Sequence, residues 1–188
     1  IIVLKARQMG FSTLTEAIIF AITATRFYTD CMIVAHKDEA TANLFRMSLR
    51  YYENLPEPMK PMRKASNAHE LVFDKPAHYK GRRPGLGSSI KCATAGGSGV
   101  GRSATLRCLH LSEFAFWPGD KRETLAGLSQ AVPVKPGTMI IIESTANGYD
   151  EFKNRWDAAV EAQRRGEDGY LPIFFAWYEM EEYRRTPP

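Results

Sequence analysis

The chain has 188 residues, 44% of them hydrophobic, and its 25 basic and 21 acidic side chains leave a formal charge of +4. That length and apolar content suit one domain with a core of its own. No apolar run approaches transmembrane length and no signal-peptide pattern opens the chain, which excludes a membrane-spanning or secreted class and leaves a soluble, intracellular one.

Ile1 to Leu4 is a run of four apolar residues, three of them β-branched, which predicts a strand buried on both faces of a parallel sheet. A short loop containing Gly10 and ending in Ser12-Thr13 follows, and from Leu14 to Phe27 the pattern turns helical. Strand, loop and helix in this order form the layout in which loop amides and a helix N-terminus bind phosphate. Laid against the phosphate-loop pattern G-x-x-x-x-G-K-[ST], Gly10 takes the second glycine and Ser12 the hydroxyl that would hold Mg²⁺. Lys5 stands at the first glycine and Phe11 at the usual lysine. The chemistry requires a cation within reach of the β- and γ-phosphates, and Lys5, on the other limb of the loop, could supply one and Arg7 a second. An ordinary βα turn with a glycine in it is the alternative.

Leu14, Ala17, Ile18, Ala21, Ile22 and Thr25 recur at helical spacing, with Ile19 and Phe20 widening the stripe, and predict a helix largely buried beside the sheet. Cys31 to Ala35 is a second buried strand, and a helix is expected from Glu39 to Glu53. Asn54 to Asn67, with its prolines, reads as loop. Glu70 to Asp74 and Ser88 to Thr94 read as a β-hairpin whose tip carries Lys-Gly-Arg-Arg-Pro-Gly, making Arg82 and Arg83 candidates for contact with a nucleic-acid backbone. From Lys60 to Arg107 there are ten Lys/Arg against Glu70 and Asp74, while from Asp150 to Arg185 nine acids face six bases. A polyanion bound on one side would suit that distribution, and solvated loops would also account for it.

Gly96 to Ser103 does not fit the G-x-G-x-x-G spacing and leads into a strand rather than a helix, so it is read as a flexible connection. Leu106 to Leu111 is a third buried strand ending at Ser112-Glu113, and an acid at a central strand tip is placed to polarise an attacking water. Asp120 with Glu123 predicts a helix N-cap, for a helix ending at Pro133. Thr138 to Ile142 is another apolar strand, leading into Glu143-Ser144-Thr145-Ala146-Asn147-Gly148, whose hydroxyl and amide groups could sense a γ-phosphate; an N-G turn is the plain alternative. Phe152, Trp156, Ala159 and Val160 mark a helix closed by Arg164-Arg165-Gly166, and Leu171 to Ala176 is a last strand. Cys31, Cys92 and Cys108 have no C-x-x-C spacing and lie in apolar runs, as reduced, buried thiols do. His36, His69, His78 and His110 lack metal-ligand spacing, so no intrinsic metal site is expected.

Lys-Ala-Arg-Gln-Met-Gly-Phe-Ser-Thr resembles the deviant Walker A motif of large terminase subunits, the viral motors that package double-stranded DNA into capsids, some of which carry the loop lysine displaced to the front. Ser112-Glu113 and Ser144-Thr145-Ala146-Asn147 are similar to that family's next two motifs, and the resemblance covers its ATPase region only. It implies an α/β fold, a P-loop NTPase of the RecA-like ASCE type with a mainly parallel sheet flanked by helices, plus the short antiparallel hairpin. ATP with Mg²⁺ would bind Lys5, Ala6, Arg7, Gln8, Met9, Gly10, Phe11, Ser12 and Thr13, with Mg²⁺ on Ser12. Glu113 would activate water and Arg7 would stabilise the transition state. Ser112 stands where the family keeps an Asp, and could only hydrogen-bond a metal-bound water. Ser144, Thr145 and Asn147 would couple γ-phosphate loss to movement, and Arg102 could sense nucleotide or face a neighbouring subunit.

The implied partners are double-stranded DNA, a portal protein, the small terminase subunit and further copies of the chain in a ring, with no membrane, in the host cell cytoplasm. The first residue is not Met and already lies inside a strand, so a fragment is expected, from which an adenine-contacting N-terminal part and a C-terminal nuclease domain are missing. A helicase-like translocase, or a scaffold that binds nucleotide without turnover, is the rival reading.

Overall fold

The computed structural model describes residues 1–97 and 105–181. Its strands are β1 (Ile2–Lys5), β2 (Asp30–Ala35), β3 (Ala65–Ser66), β4 (Glu70–Phe73), β5 (Ser88–Thr94), β6 (Cys108–Ser112), β7 (Met139–Ser144) and β8 (Pro172–Phe175). Its α-helices are α1 (Phe11–Thr25), α2 (Asp38–Asn54), α3 (Lys121–Ser129) and α4 (Glu151–Arg165). The strands make one 8-stranded sheet in the order β3-β4-β5-β2-β6-β7-β1-β8. From β5 to β8 every pairing is parallel, and the expected antiparallel hairpin β4–β5, to which β3 is added, extends one edge.

Strand alternation divides the core between the two sheet faces. Along β2, Met32 and Val34 point to one face and Cys31, Ile33 and Ala35 to the other. The first face packs Leu109, Leu111 and Ile142 under Leu125 and Leu128 of α3 and Phe152 and Ala159 of α4. The second packs Ile90, Cys92 and Cys108 under Ile19, Phe20 and Ala24 of α1 and Leu44 and Phe45 of α2. All three cysteines are free and buried.

Several expectations need correction; among them, α3 ends at Ser129 and not at Pro133. The segment 54–67 contains a 3-10 turn at Glu57–Met59 and the strand β3, whose two exposed residues are too few to carry a periodic signal. β6 starts at Cys108 because the Leu106 N–H is taken by the Ala131 carbonyl instead of the sheet. The buried stripe of α1 is Thr15, Glu16, Ile19, Phe20, Thr23 and Ala24, whereas Leu14 is 56% and Ile18 39% exposed. The helix turns several polar side chains inward because polar groups on the sheet receive them.

Candidate active site

On β6 the alternation that sends Leu109 and Leu111 to the α3/α4 face turns His110 and Ser112 towards α1, and on β7 it turns Glu143 the same way. Glu16 and Ser12 sit one helical turn apart on the facing side of α1. A line of buried polar contacts results. His110 Nδ1 lies 2.7 Å from Glu16 Oε1 and its Nε2 lies 3.4 Å from Glu143 Oε1. Ser112 Oγ donates to Glu143 Oε1 at 2.7 Å, and Ser12 Oγ donates to the same oxygen at 2.9 Å. Lys5, at the tip of β1, places its ammonium 3.0 Å from Glu143 Oε2 and 2.9 Å from Glu113 Oε1.

Burial alone would favour the neutral forms of these groups, but for Glu143, His110 and Lys5 mutual attraction prevails. Burial raises the Glu143 carboxyl, yet hydrogen bonding and charge from His110, then Lys5, hold it down at about 2. The His110 imidazolium is disfavoured by burial but is pushed up to about 9 by Glu143 and Glu16. Burial depresses Lys5 too, and Glu143 and Glu113 outweigh it, so its pKa rises. Glu16 moves upward because burial is the largest influence on it.

Glu113 is the hinge between this network and solvent. Its backbone is left-handed, φ 50, a conformation costly for a non-glycine residue and found at sites where the surroundings hold it. Its Oε2 accepts from the Thr145 N–H at 3.2 Å, the Thr145 hydroxyl at 3.2 Å and the Ser144 hydroxyl at 3.4 Å. The tips of β1, β6 and β7 therefore converge on one carboxylate. A cleft of about 310 Å³ opens there, lined by Lys5, Arg7, Gln8, His36, Lys37, Glu113, Phe116 and Thr145. His36 is held below its ordinary pKa chiefly by burial, against the pull of Glu113.

The loop between β1 and α1 reverses through Gln8 and Gly10, at φ 57 and φ 68. The Gly10 position takes a left-handed turn that glycine adopts at little cost. α1 starts at Phe11, three residues earlier than the sequence pattern suggests, with the Leu14 N–H bonded to the Gly10 carbonyl at 3.0 Å. Among the described residues no side chain caps this N-terminus, and its first turn contains no acid. Uncapped N–H groups and the positive end of the helix dipole favour an anion.

No family model matches the chain. Solved structures do resemble it: the ATPase domain of the Thermus phage P74-26 large terminase superposes with a TM-score of 0.73 at 17% identity, over 95% of this chain and 76% of that one. The chain has the fold of a large-terminase ATPase domain. The large terminase of bacteriophage HK97 gives a TM-score of 0.68 at 17% identity, over 90% of this chain and 34% of that protein, so the chain spans roughly a third of it.

Within this terminase-type fold the expected residues fall into separate groups. Lys5, Glu113, Ser144 and Thr145 are joined by direct hydrogen bonds or ion pairs, and Ser12 and Ser112 join them through Glu143. Arg7 and Gln8 are exposed and line the cleft. Ala6 is tied to β8, its N–H donating to the Phe175 carbonyl at 3.2 Å. Phe11, in the place of the usual lysine, packs its ring 5.9 Å from that of Phe175 and so anchors the helix start to the same strand. Met9 is half-buried in the loop. Thr13 is exposed, and its carbonyl accepts from the Tyr51 hydroxyl.

Asn147 does not line the cleft: its Nδ2 donates to the Ala115 carbonyl at 3.1 Å, tying the end of β7 to the turn after Glu113. Arg82 and Arg83 are exposed in the β4–β5 connection. That connection lies at the amino ends of the parallel strands, the opposite end of the sheet from Lys5 and Glu113. Arg102 lies outside the described residues.

Glu143, His110, Glu16, His36, Lys37 and Phe116 were given no role in the sequence. For Glu143 there is a signal, a carboxylate prolonging an apolar strand run; such a residue stays in a strand only when a partner waits inside. His110 between Leu109 and Leu111 is the same signal on the neighbouring strand.

Proposed function

We propose that this chain is the ATP-hydrolysing motor domain of a large terminase, driving double-stranded DNA into a capsid. The observation that carries the proposal is the convergence on Glu113: one oxygen on the loop cation Lys5, the other on the β7 groups Ser144 and Thr145, at the mouth of a cleft beside an uncapped helix N-terminus.

In this reading the loop from Ala6 to Thr13 and the open end of α1 bind the triphosphate, with Lys5 leaving its carboxylates for the phosphate oxygens and Arg7 stabilising charge in the transition state. Glu113 orients and deprotonates the attacking water, and is released for that task when Lys5 moves. Thr145, hydrogen-bonded to Glu113, passes the loss of the γ-phosphate to β7, and Asn147 carries it to the turn after Glu113. The residues fit a magnesium nucleotide: Ser12 offers a hydroxyl hydrogen-bonded to a carboxylate, a donor set suited to a hard cation, and the Lys5 ammonium already stands as a positive charge beside it. Magnesium bound with the nucleotide would neutralise phosphate charge. Arg82 and Arg83, on the far end of the sheet, are the proposed contacts to the DNA backbone. Arg102 is proposed to sense nucleotide or face a neighbouring subunit. The portal protein, small terminase subunit and a homo-oligomeric ring complete the motor, in the host cell cytoplasm. Among the described residues no helix is long and apolar enough to cross a membrane.

Glu113→Gln should leave ATP binding intact and lower hydrolysis by roughly 10²-fold or more, measured as phosphate release. Unchanged hydrolysis in that variant would remove the motor reading, and ATP bound but never hydrolysed by the unaltered protein would favour a scaffold.

A further inference from the structure

The sheet register sets Ser112 of β6 beside Glu143 of β7, with both side chains on the α1 face. The two serine hydroxyls, one from the first turn of α1 and one from the tip of β6, donate to the same oxygen of Glu143, at 2.9 and 2.7 Å. The second oxygen of Glu143 meets the ammonium of Lys5 at 3.0 Å, and that ammonium also meets Glu113 at 2.9 Å. In P-loop NTPases the metal is shared between a loop hydroxyl and a strand-tip carboxylate. Here β6 offers a hydroxyl at its tip, Ser112, which carries no charge. A hard divalent cation requires an anionic oxygen. Among the described residues Glu143 is the carboxylate in contact with Ser12.

Charge balance points the same way. Glu113 and Glu143 share the single ammonium of Lys5, and His110 faces Glu143 from the other side. Once the Lys5 ammonium turns to a phosphate, both carboxylates lose the cation they share, and a divalent ion would replace it.

We infer that Glu143, reaching across from the neighbouring strand, is the carboxylate that holds the Mg²⁺ of bound Mg-ATP with Ser12, that Ser112 orients it, and that the Lys5 ammonium keeps this place in the nucleotide-free protein. The inference rests on the nucleotide-binding reading above. It assigns Ser112 a definite task, that of fixing the carboxylate which its own strand does not supply. Glu143 also pairs with His110, so a purely structural role is the competing account. The two accounts differ in what they do to metal dependence.

The test is the affinity for ATP, measured by calorimetry in Mg²⁺ and in EDTA, for the unaltered protein, for Glu143→Gln and for Ser112→Asp/Glu143→Gln. The unaltered protein should bind ATP more tightly in Mg²⁺. Glu143→Gln should lose about tenfold or more of that gain while its affinity in EDTA is kept. The double variant, which moves one carboxylate to the adjacent strand at constant charge, should recover most of it. A Glu143→Gln protein that binds ATP with the full Mg²⁺ gain, changed only in melting temperature, overturns the inference and leaves the nucleotide reading standing. An unaltered protein that binds no ATP in either buffer overturns both. If Glu143→Gln does not fold, Ser112→Ala, which removes the hydroxyl that orients the carboxylate and keeps the carboxylate itself, decides: a reduced Mg²⁺ gain with unchanged affinity in EDTA supports the inference, and a full gain overturns it.

Discussion

Helices α1 and α4 follow neighbouring, directly paired strands, yet their beginnings are built in opposite ways. At α4, Asp150 accepts from the Lys153 N–H, Glu151 lies in the first turn, and Lys121 clamps Asp150 at 2.6 Å. At α1 there is no side-chain cap and no acid in the first turn. The layers beneath differ as well: α4 buries Phe152 and Ala159, while α1 buries Glu16 against His110 and Thr23 against Cys31. The protein satisfies one helix end with its own carboxylates. At the other it leaves the positive end open and keeps its carboxylates one layer below, occupied with Lys5.

The largest effect is expected where that lower layer is broken. Lys5→Ala leaves Glu143, which is 0% exposed, with His110 as its remaining cationic partner, and breaking a buried pair costs about 3–5 kcal/mol. Phe11→Ala loses a ring contact worth about 1 kcal/mol. Urea unfolding and ATP titration of the two variants should differ sharply in both readouts; equal losses of ATP affinity would mean that the displaced lysine has no special part.

The pH dependence of stability should be confined to the α1 side. His110 titrates at about 9 instead of 6.5, so the stability it contributes is fully present below pH 6.5 and is lost as the pH rises towards 9. Glu143 titrates at about 2 instead of 4.5, so its contribution is present above pH 4.5 and is lost as the pH falls towards 2. Melting temperatures of His110→Gln should lack the fall between pH 6.5 and 9 that the unaltered protein shows. In Asp150→Ala that fall should persist, displaced downward at every pH.

The smallest effects compare the two helix ends directly. Asp150→Ala should cost about 1 kcal/mol through the lost cap and leave ATP affinity alone. Thr13→Glu, an acid added to the first turn of α1, should stabilise the fold by about 0.5 kcal/mol. It should nevertheless weaken ATP binding severalfold, since like charges near the phosphates cost on the order of 1 kcal/mol or more. ATP affinity untouched by Thr13→Glu would show that the end of α1 is open for some other reason.

Much of this molecule is legible in its residue order. Apolar runs located seven of the strands, Asp120 caps α3 and Gly166 closes α4 as capping chemistry requires, and Lys5, Arg7 and Glu113, singled out by their place in the sequence, line one cleft. These features are local: each depends on a few consecutive side chains and on backbone preferences that travel with them. The charged layer is different. A strand pattern such as Leu109-His110-Leu111 states that two faces exist, but it does not name what faces them, and the exposed Leu14 and Ile18 show how the helix pattern misleads on the same point. Only the sheet order, which sets β7 between β1 and β6, brings Lys5, Ser112 and Glu143 together from positions more than a hundred residues apart at the extremes. A buried charge is tolerable only beside its partners, and which partners those are is decided by strand register and helix docking.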